Sequence, residues 1–347
     1  MGLVACGIVG ALLVAGLQVL PAAPASATVP APPSAVTPIP TMEVVTTPGP
    51  TQVSADITRD TVWGPTGSPY VVQNSITVTD VASLTLLPGT VVKFKPGVKL
   101  GVRGQFLSLG TPQARVSLTS FADDSVAGDT NGDGASTGAA GDWVGVETFK
   151  PTLVQASVMV LDYTDVRFGG QVAGTGSPNC LGGAMVSSGT STRVLISNST
   201  FSDSLQADLG LGMTLDGFAG VYNSEFGSAA CGVHDSGVSD YVGNTFDGTF
   251  TQGSQWAFIG TGMDGGRFWY NTFLSGTMVN SRGGMSIRYN HLNQIASFGS
   301  AGEQFPDYRR NHWNIPITAS PVGDCMTGAQ VDAYAPPILT NTNYDCP

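Results

Sequence analysis

Short runs in which apolar and polar residues alternate recur along the chain from about residue 56 onwards. Examples are "SITVTD" (75 to 80), "SLTLLPGTVVKF" (83 to 94) and "ARVSLTSF" (114 to 121), and glycine or proline interrupts or separates the runs. Alternation over four to six residues predicts β-strands. No stretch of ten or more residues shows a helical period, so the sequence predicts an all-β fold.

A repeat of about 20 to 25 residues organises the second half of the chain. Apolar anchors are spaced by 25, 20, 27, 19 and 21 residues, and another apolar residue stands five positions before each anchor. Residues five apart in a plain strand face opposite sides, so two inward columns require a bend between them. The anchors are Phe201, Phe226, Phe246, Phe273, Leu292 and Trp313, and the residues five positions earlier are Ile196, Val221, Tyr241, Phe268, Ile287 and Tyr308.

A polar column stands two positions before each anchor, at the predicted bend. Its members are Ser199, Ser224, Asn244, Asn271, Asn290 and Asn311. Asparagine tolerates the left-handed conformation that a sharp bend requires. We therefore expect a stacked turn in which the amides bond from one coil to the next.

Repeats of this length, with strands and bends and without helices, indicate a parallel β-solenoid in which each coil adds about 4.8 Å. Leucine-rich repeats have a similar length, but their L-x-x-L-x-L pattern is absent. The repeats predict a single domain, a right-handed parallel β-helix over residues 56–340. A C-terminal tail, 341–347, follows it.

The first 55 residues predict export followed by a spacer. An apolar run ends at the small-residue site Ala25-Ser26-Ala27, so residues 1–27 are interpreted as a signal peptide. The same run offers two alternatives, a membrane anchor and a lipoprotein box at Cys6. Residues 28–55 are rich in proline and threonine and predict a disordered linker. We expect a secreted protein, or in the alternative one held at the cell surface.

The net charge, the positions of the lysines and the number of cysteines exclude some functions and predict disulfides. Charged residues make up 11% of the chain and the net charge is −11, which excludes nucleic acid as a partner. The lysines are all in the first half, so a lysine base in the second half is excluded. Four cysteines remain after the signal, and in an exported chain they predict disulfides. Neighbours in sequence favour Cys180 with Cys231 and Cys325 with Cys346; zinc is the rival, without C-x-x-C spacing.

Residues 56–340 resemble the right-handed parallel β-helix proteins with the pectin lyase-like fold. The similar motifs are "TVWGPTGSPYVV" (61 to 72), "LTLLPGTVVKF" (84 to 94), "LGVRGQFLSLGT" (100 to 111) and "LTSFADDSVAGDTNGDG" (118 to 134), together with the N-x-F coils. The resemblance implies the fold. It leaves function open, because this scaffold carries lyases, hydrolases, adhesins and proteins without known activity.

The stretch "GDTNGDGASTGAAGDW" (128 to 143) holds a candidate calcium site. Asp129, Asn131 and Asp133 alternate and are followed by Gly134, as in the first half of a calcium loop. Position twelve of such a loop is Ala140 instead of glutamate, so Asp123, Asp124 or Asp142 would complete the shell. We expect a structural Ca²⁺ ion that pins this insertion where Trp143 returns to the core. The alternative is a solvated acidic turn.

Residues four and six positions before the anchors are expected to project outward from one sheet. We call this set the binding strip: Tyr222, Asp240, Arg267, Trp269, Arg288 and Arg309. Aromatic rings and guanidinium groups predict a surface for an acidic glycan. The alternative is that arginine and aspartate on neighbouring coils simply pair, which contributes little.

The resemblance also implies how an enzyme of this group would act. Pectate lyase-like proteins use calcium and commonly an arginine base, which makes Arg267 and Arg288 the candidate catalytic residues. The pair Asp123 and Asp124 invites comparison with polygalacturonase-like members, but their further motifs are absent. His234-Asp235 beside Cys231 is a weak candidate for a cysteine nucleophile.

These observations predict a secreted, monomeric module that binds extracellular or cell-wall polysaccharide, acidic or neutral, or serves a structural role at the surface. A polysaccharide lyase or glycoside hydrolase that acts on acidic glycans is the alternative, with the lyase favoured of the two. No membrane contact beyond the signal segment is expected.

Overall fold

The computed structural model describes residues 42–149, 156–171, 184–189, 192–211, 218–251, 256–260, 266–274, 277–280, 286–292 and 312–313. These residues form 29 strands, β1 to β29 in chain order, and one short 3₁₀ helix, Pro65–Gly67. They belong to one compact unit. Within them, no helix has the length and apolar character needed to cross a membrane.

The strands lie in three parallel sheets. Sheet A contains β1 (Glu43–Val44), β3 (Thr61–Trp63), β6 (Ser83–Leu86), β9 (Gln105–Leu109), β12 (Ser157–Asp162), β15 (Thr192–Ser197), β18 (Phe218–Tyr222), β21 (Ser239–Val242), β24 (Arg267–Trp269) and β27 (Ser286–Arg288). Sheet B contains β2 (Thr51–Val53), β4 (Tyr70–Val72), β7 (Val91–Phe94), β10 (Val116–Ser120), β13 (Thr164–Arg167), β16 (Thr200–Ser202), β19 (Glu225–Phe226), β22 (Thr245–Phe246), β25 (Thr272–Phe273), β28 (His291–Leu292) and β29 (His312–Trp313). Sheet C contains β5 (Ile76–Val78), β8 (Lys99–Val102), β11 (Gly145–Thr148), β14 (Ala184–Ser188), β17 (Ala207–Leu211), β20 (Cys231–Asp235), β23 (Trp256–Gly260) and β26 (Thr277–Asn280).

The chain visits the three sheets in turn, and the strand of one coil pairs with the equivalent strand of the next. This arrangement confirms the predicted all-β fold, a parallel β-helix. Its right-handed sense stays an expectation, which follows from the near-universal handedness of parallel crossover connections.

The predicted inward columns are the core of the β-helix. In the first column the phenylalanine rings of adjacent coils stack, with centroids 5.2 Å apart for Phe201 and Phe226 and 4.4 Å apart for Phe246 and Phe273. The second column is fully buried from Ile196 to Ile287. Both columns therefore face inward, as the period argument requires. Tyr308 lies outside the described residues.

The bend between sheets A and B differs in one detail from the prediction. The left-handed residue is the one before the polar column: φ is 52° at Asn198, 48° at Asn223, 57° at Tyr270 and 60° at Tyr289. The asparagines themselves point inward, and Asn244, Asn271 and Asn290 are fully buried. The Asn244 amide donates to Asn271 Oδ1 at 2.9 Å and the Asn271 amide to Asn290 Oδ1 at 3.1 Å. The predicted amide ladder is thus present, one residue after the bend.

The coils begin earlier than residue 56. Strands β1 and β2 lie inside the predicted linker 28–55, and they pair with β3 and β4 of the next coil. The linker is therefore shorter than predicted, because alternation in "MEVV" and "TQVS" is too brief to stand out from its proline-rich surroundings. The signal peptide, the rest of the linker and the tail 341–347 lie outside the described residues.

Candidate functional site

The register of sheet A places the binding strip on its outer face. Tyr222 pairs with Val242, Val242 with Trp269, and Trp269 with Arg288, so these side chains follow one another along the stacking direction. In the neighbouring outer column Asp240 pairs with Arg267. The two columns lie side by side because residues two apart in a strand share a face. Arg309 lies outside the described residues.

Arg267 is held by Asp240 of the preceding coil. Its Nε donates to Asp240 Oδ1 at 3.0 Å, its Nη2 contacts Oδ2, and its backbone N–H also donates to Oδ1 at 3.1 Å. The guanidinium lies 5.5 Å from the centroid of the Trp269 ring. Hydrogen bonding to Asp240, and then its negative charge, raise the pKa of Arg267. A guanidinium held in this way stays protonated, which disfavours Arg267 as a general base.

Two tyrosines that the sequence interpretation overlooked join the strip. Tyr270 stacks on Tyr289 of the next coil, with centroids 4.9 Å apart and planes at 9°, and Trp269 meets Tyr289 edge to face at 6.3 Å. Tyr270 is 55% exposed. We call Tyr222, Trp269, Tyr270 and Tyr289 the aromatic ledge. The signal that identifies the two tyrosines is their shared place, three residues before the anchors Phe273 and Leu292.

Hydrogen bonds and close packing fix the orientation of two ledge residues. The Trp269 indole Nε1 donates to Ser286 Oγ at 3.0 Å. The hydroxyl end of Tyr222 lies directly above Gly220, where an added Cβ would stand 2.5 Å from the ring. Burial raises the pKa of Tyr222, and the Asp240 carboxylate raises it further. The Tyr222 hydroxyl therefore keeps its proton and stays both a donor and an acceptor.

The stretch with the densest carboxylates lies over the outer face of sheet B. It belongs to the acidic loop, residues 121–144, which connects β10 to β11. Lys93 projects from β7 into this loop, is fully buried, and donates from Nζ to the carbonyl of Gly128 at 2.7 Å. Arg167 Nη2 contacts Asp123 Oδ2 at 3.0 Å, and Thr119 Oγ1 donates to the same oxygen at 2.6 Å. Two cations of the sheet thus hold the loop in place.

The end of the loop returns to the core as predicted. Trp143 is fully buried and stacks on Phe94, with centroids 4.1 Å apart.

Burial lowers the pKa of Lys93, although the carboxylates of Asp124, Asp123 and Asp129 oppose this shift. Asp123 has a lowered pKa because hydrogen bonds from Ser125 and Thr119 and the charge of Arg167 outweigh its burial.

Only some of the predicted calcium ligands come together among the described residues. Carboxylate oxygens of Asp124, Asp129 and Asp133 lie within 4.8 Å of one another. Asp124 Oδ1 is buried without a hydrogen-bond partner in the described structure, whereas its Oδ2 accepts from the backbone N–H of Ser136. Asn131 donates to Asp133 Oδ2 at 2.7 Å.

The other two predicted carboxylates are bound elsewhere in the same loop. Asp123 is engaged by Arg167 and Thr119. Asp142 Oδ2 accepts from Ser120 Oγ at 2.6 Å and from the Ala139 backbone at 2.9 Å. These contacts hold both ends of the loop on sheet B. The oxygen cluster of Asp124, Asp129 and Asp133 fits the hard oxygen ligands that Ca²⁺ takes.

We expect Lys93→Ala to loosen the acidic loop. The change removes a buried ammonium and the shorter of two hydrogen bonds to the Gly128 carbonyl, at a cost of about 2 kcal/mol. Denaturant unfolding measures that loss, and hydrogen exchange at the Gly132 and Gly134 amides, which donate to Asp129, reports the loop itself.

Lys99→Ala is the matched control for this variant. Lys99 pairs with Glu147 at 2.8 Å, but both side chains are more than 40% exposed, so the loss should stay below about 1 kcal/mol. Equal losses in the two variants, with unchanged exchange in the loop, would show that Lys93 does not hold it.

Sheet C contains two buried acidic groups, Asp208 and Asp235, and the sequence interpretation missed the first of them. Asp208 in β17 is fully buried, and neither of its carboxyl oxygens has a hydrogen-bond partner in the described structure. Burial, and secondly the charge of Asp203, raise its pKa well above the ordinary 3.8. Asp235 is also buried, with a raised pKa from burial, but it accepts from the Tyr241 hydroxyl at 2.7 Å.

The cysteine and histidine candidates lie on the same sheet. Cys231 is fully buried in β20, and burial lowers the pKa of His234. Cys180, Cys325 and Cys346 lie outside the described residues, so the disulfide pairing stays a prediction. Burial of Cys231 disfavours it as a nucleophile.

The aromatic ledge and the acidic loop are separate regions of one β-helix. The ledge lies on the outer face of sheet A at β18 to β27, and the loop covers sheet B at β7 to β13. Comparison of the chain with protein-family models, with curated proteins and with solved structures finds no match. The function of the chain is therefore inferred from the geometry of these two regions.

Proposed function

We propose that this protein is a secreted parallel β-helix module of the pectin lyase-like type that binds extracellular or cell-wall polysaccharide through the aromatic ledge. Aromatic rings with a few fixed polar groups are suited to sugars, which present both apolar ring faces and hydroxyls. The hydroxyl of Tyr222 supplies such a polar group beside the rings.

The observation that carries this proposal is the backbone at the two stacked tyrosines. Tyr270 and Tyr289 both have positive φ, at 57° and 60°. The left-handed conformation costs a non-glycine residue about 1–2 kcal/mol. Asparagine or glycine fills the equivalent place in the three preceding coils, and a third tyrosine, Tyr163, fills it in the coil before those. Strained residues cluster at functional sites. What distinguishes Tyr270 and Tyr289 is that they stack on consecutive coils beside the partly exposed Trp269, which makes them a candidate binding surface.

Glycan binding should fall about tenfold, or about 1.4 kcal/mol, in Trp269→Ala. The change removes the ring that contacts both Tyr289 and Arg267. Affinity electrophoresis in gels containing soluble polysaccharides measures the effect. Leu109→Ala is the control, because Leu109 is 37% exposed in the same outer column, three coils before Tyr222.

Retention of Trp269→Ala equal to that of the wild type would remove the ledge as the binding site. If the wild type is retained by no polysaccharide but stays on washed cells, a structural role at the cell exterior is favoured instead. Export itself, a monomeric state and the disulfides remain part of this proposal.

The alternative proposal is a polysaccharide lyase, or less favourably a glycoside hydrolase, that acts on acidic glycans. The pairing of Arg267 with Asp240 speaks against it, since an arginine base must lose a proton that this contact retains. Arg288 remains the other candidate base. Incubation with pectate and alginate in the presence of calcium tests the lyase; a rise in ultraviolet absorbance from unsaturated uronate products would favour it over binding alone.

We also propose a structural Ca²⁺ ion at the acidic loop, held by Asp124, Asp129 and Asp133. The buried Asp124 oxygen without a protein partner supports this proposal. Lys93 already supplies positive charge to the loop, so the ion would add to an existing clamp.

Calcium should raise the melting temperature of the wild type and leave Asp129→Ala/Asp133→Ala unaffected. An ion present at 100 times its dissociation constant stabilises the native state by about 2.7 kcal/mol. Differential scanning calorimetry with excess chelator and then with added Ca²⁺ gives the shift. An identical melting temperature under both conditions would identify the loop as a solvated turn held by its protein contacts alone, among them those of Lys93 and Arg167.

A further inference from the structure

The cation nearest the aromatic rings of the ledge is already neutralised. Asp240 binds the Arg267 guanidinium through two of its nitrogens and accepts from its backbone N–H as well. Asp240 is 8% exposed, so the carboxylate cannot turn into solvent without breaking these contacts. A uronate carboxylate could take the Nε and Nη2 edge of Arg267 only by displacing Asp240, which would leave a nearly buried carboxylate unpaired.

The remaining surface of the ledge is suited to hydroxyl groups. Tyr222 keeps its proton because burial and the Asp240 carboxylate raise its pKa. Its hydroxyl therefore exchanges hydrogen bonds with neutral donors and acceptors alike. The net charge of the chain is −11, and long-range repulsion from this charge opposes the approach of a polyanion.

The direction of the ledge matches a linear polymer. Tyr222 and Trp269 occupy one outer column two coils apart, with Val242 between them. Two coil spacings are about 10 Å, close to the length of two sugar units in an extended chain. The stacked pair of Tyr270 and Tyr289 borders this column at the bend.

We propose that the ledge selects an uncharged polysaccharide, which lies along the stacking direction with sugar rings against Tyr222 and Trp269. This inference rests on the proposed glycan-binding function and names its ligand class. The Asp240–Arg267 pair is the specificity element, because Asp240 neutralises the guanidinium and occupies the Nε and Nη2 edge that an acidic sugar would otherwise bind.

Binding of neutral and acidic polymers at two salt concentrations tests the inference. Soluble xyloglucan, mixed-linkage glucan and glucomannan are the neutral probes, and polygalacturonate and alginate are the acidic ones. We expect at least one neutral probe to bind with less than twofold change between 20 and 500 mM NaCl, and no retention by the acidic probes. The Asp240→Asn variant, which frees Arg267, should gain salt-sensitive binding of polygalacturonate.

The outcomes separate this inference from the function on which it rests. Salt-sensitive binding of polygalacturonate by the wild type would overturn the neutral specificity while leaving glycan binding intact. Failure of Asp240→Asn to gain acidic binding, while it still binds the neutral probe like the wild type, would remove the pair as the specificity element. Absence of binding to every probe by folded wild type would overturn both proposals together.

Discussion

Asp208→Asn should remove most of the loss of stability that the wild type shows as the pH rises. Asp208 is fully buried and its carboxyl oxygens have no hydrogen-bond partner in the described structure, so its native pKa is raised well above 3.8. The stabilising contribution of the protonated group is complete below pH 3.8 and is lost as the pH rises through the native pKa. Within that window the free energy of unfolding falls by about 1.4 kcal/mol for each pH unit.

Urea unfolding of the wild type and Asp208→Asn at pH 4 to 8 measures this difference. The free energy of unfolding of the variant, relative to that of the wild type, should increase as the pH rises from 4, because asparagine is neutral throughout. Asp235, whose pKa is also raised by burial, leaves a dependence of the same sign in the variant. The exposed Asp247→Asn provides the control and should run parallel to the wild type. Parallel curves for Asp208→Asn would contradict the buried neutral carboxyl.

Asn271→Ala should lower the free energy of unfolding by about 3 kcal/mol. Asn271 Oδ1 accepts from both the backbone and the amide of Asn244, and its own amide donates to the carbonyl of Tyr241. Alanine leaves the Asn244 backbone N–H buried without its acceptor, and such a group costs about 1–3 kcal/mol before the other lost bonds are counted. Denaturant unfolding and hydrogen exchange at Asn244 measure the effect.

Two further variants show whether the ladder is responsible. Ser199 and Ser224 occupy the same column in earlier coils, and Ser224 Oγ accepts from the Ser199 backbone. Asn271→Ser should therefore lose less than Asn271→Ala. Thr272→Ala, one residue further along on the outer side of sheet B, should lower the free energy of unfolding only slightly. Equal losses in all three variants would indicate a general effect on the coil.

The fold was predictable because burial in a solenoid repeats. Phe201, Phe226 and Phe246 recur at similar spacing because each must fill the same place in its coil. The bend was predictable from two inward columns, but its left-handed residue was assigned one position too late. Asparagine is common both in left-handed turns and in buried ladders, so residue type alone does not separate the two.

The candidate site was less predictable because its members depend on what covers them. Lys93 stands in an alternating strand and has the pattern of a solvent-facing lysine, yet a loop 35 residues later buries it. Asp208 in sheet C is likewise buried at a position where the sequence alone does not indicate burial. The binding strip was expected to present arginines to a ligand, but the register also brings Asp240 against Arg267. The spacing in the sequence places Asp240 and Arg267 in the strip, but it does not determine whether the two side chains pair with each other or face a ligand.

At the bend between sheets A and B, a position that tolerates different side chains lies directly before a position whose side chain is fixed by burial. Tyr163, Asn198, Asn223, Gly243, Tyr270 and Tyr289 all adopt the left-handed conformation. The residue after the bend is fixed by the ladder, whereas the bend residue itself is exposed or half-buried and is tyrosine, asparagine or glycine in these coils. New surface chemistry can thus arise at one position per coil without disturbing the buried columns. Ligand-binding side chains placed at these bends would therefore leave the packing of the interior unchanged.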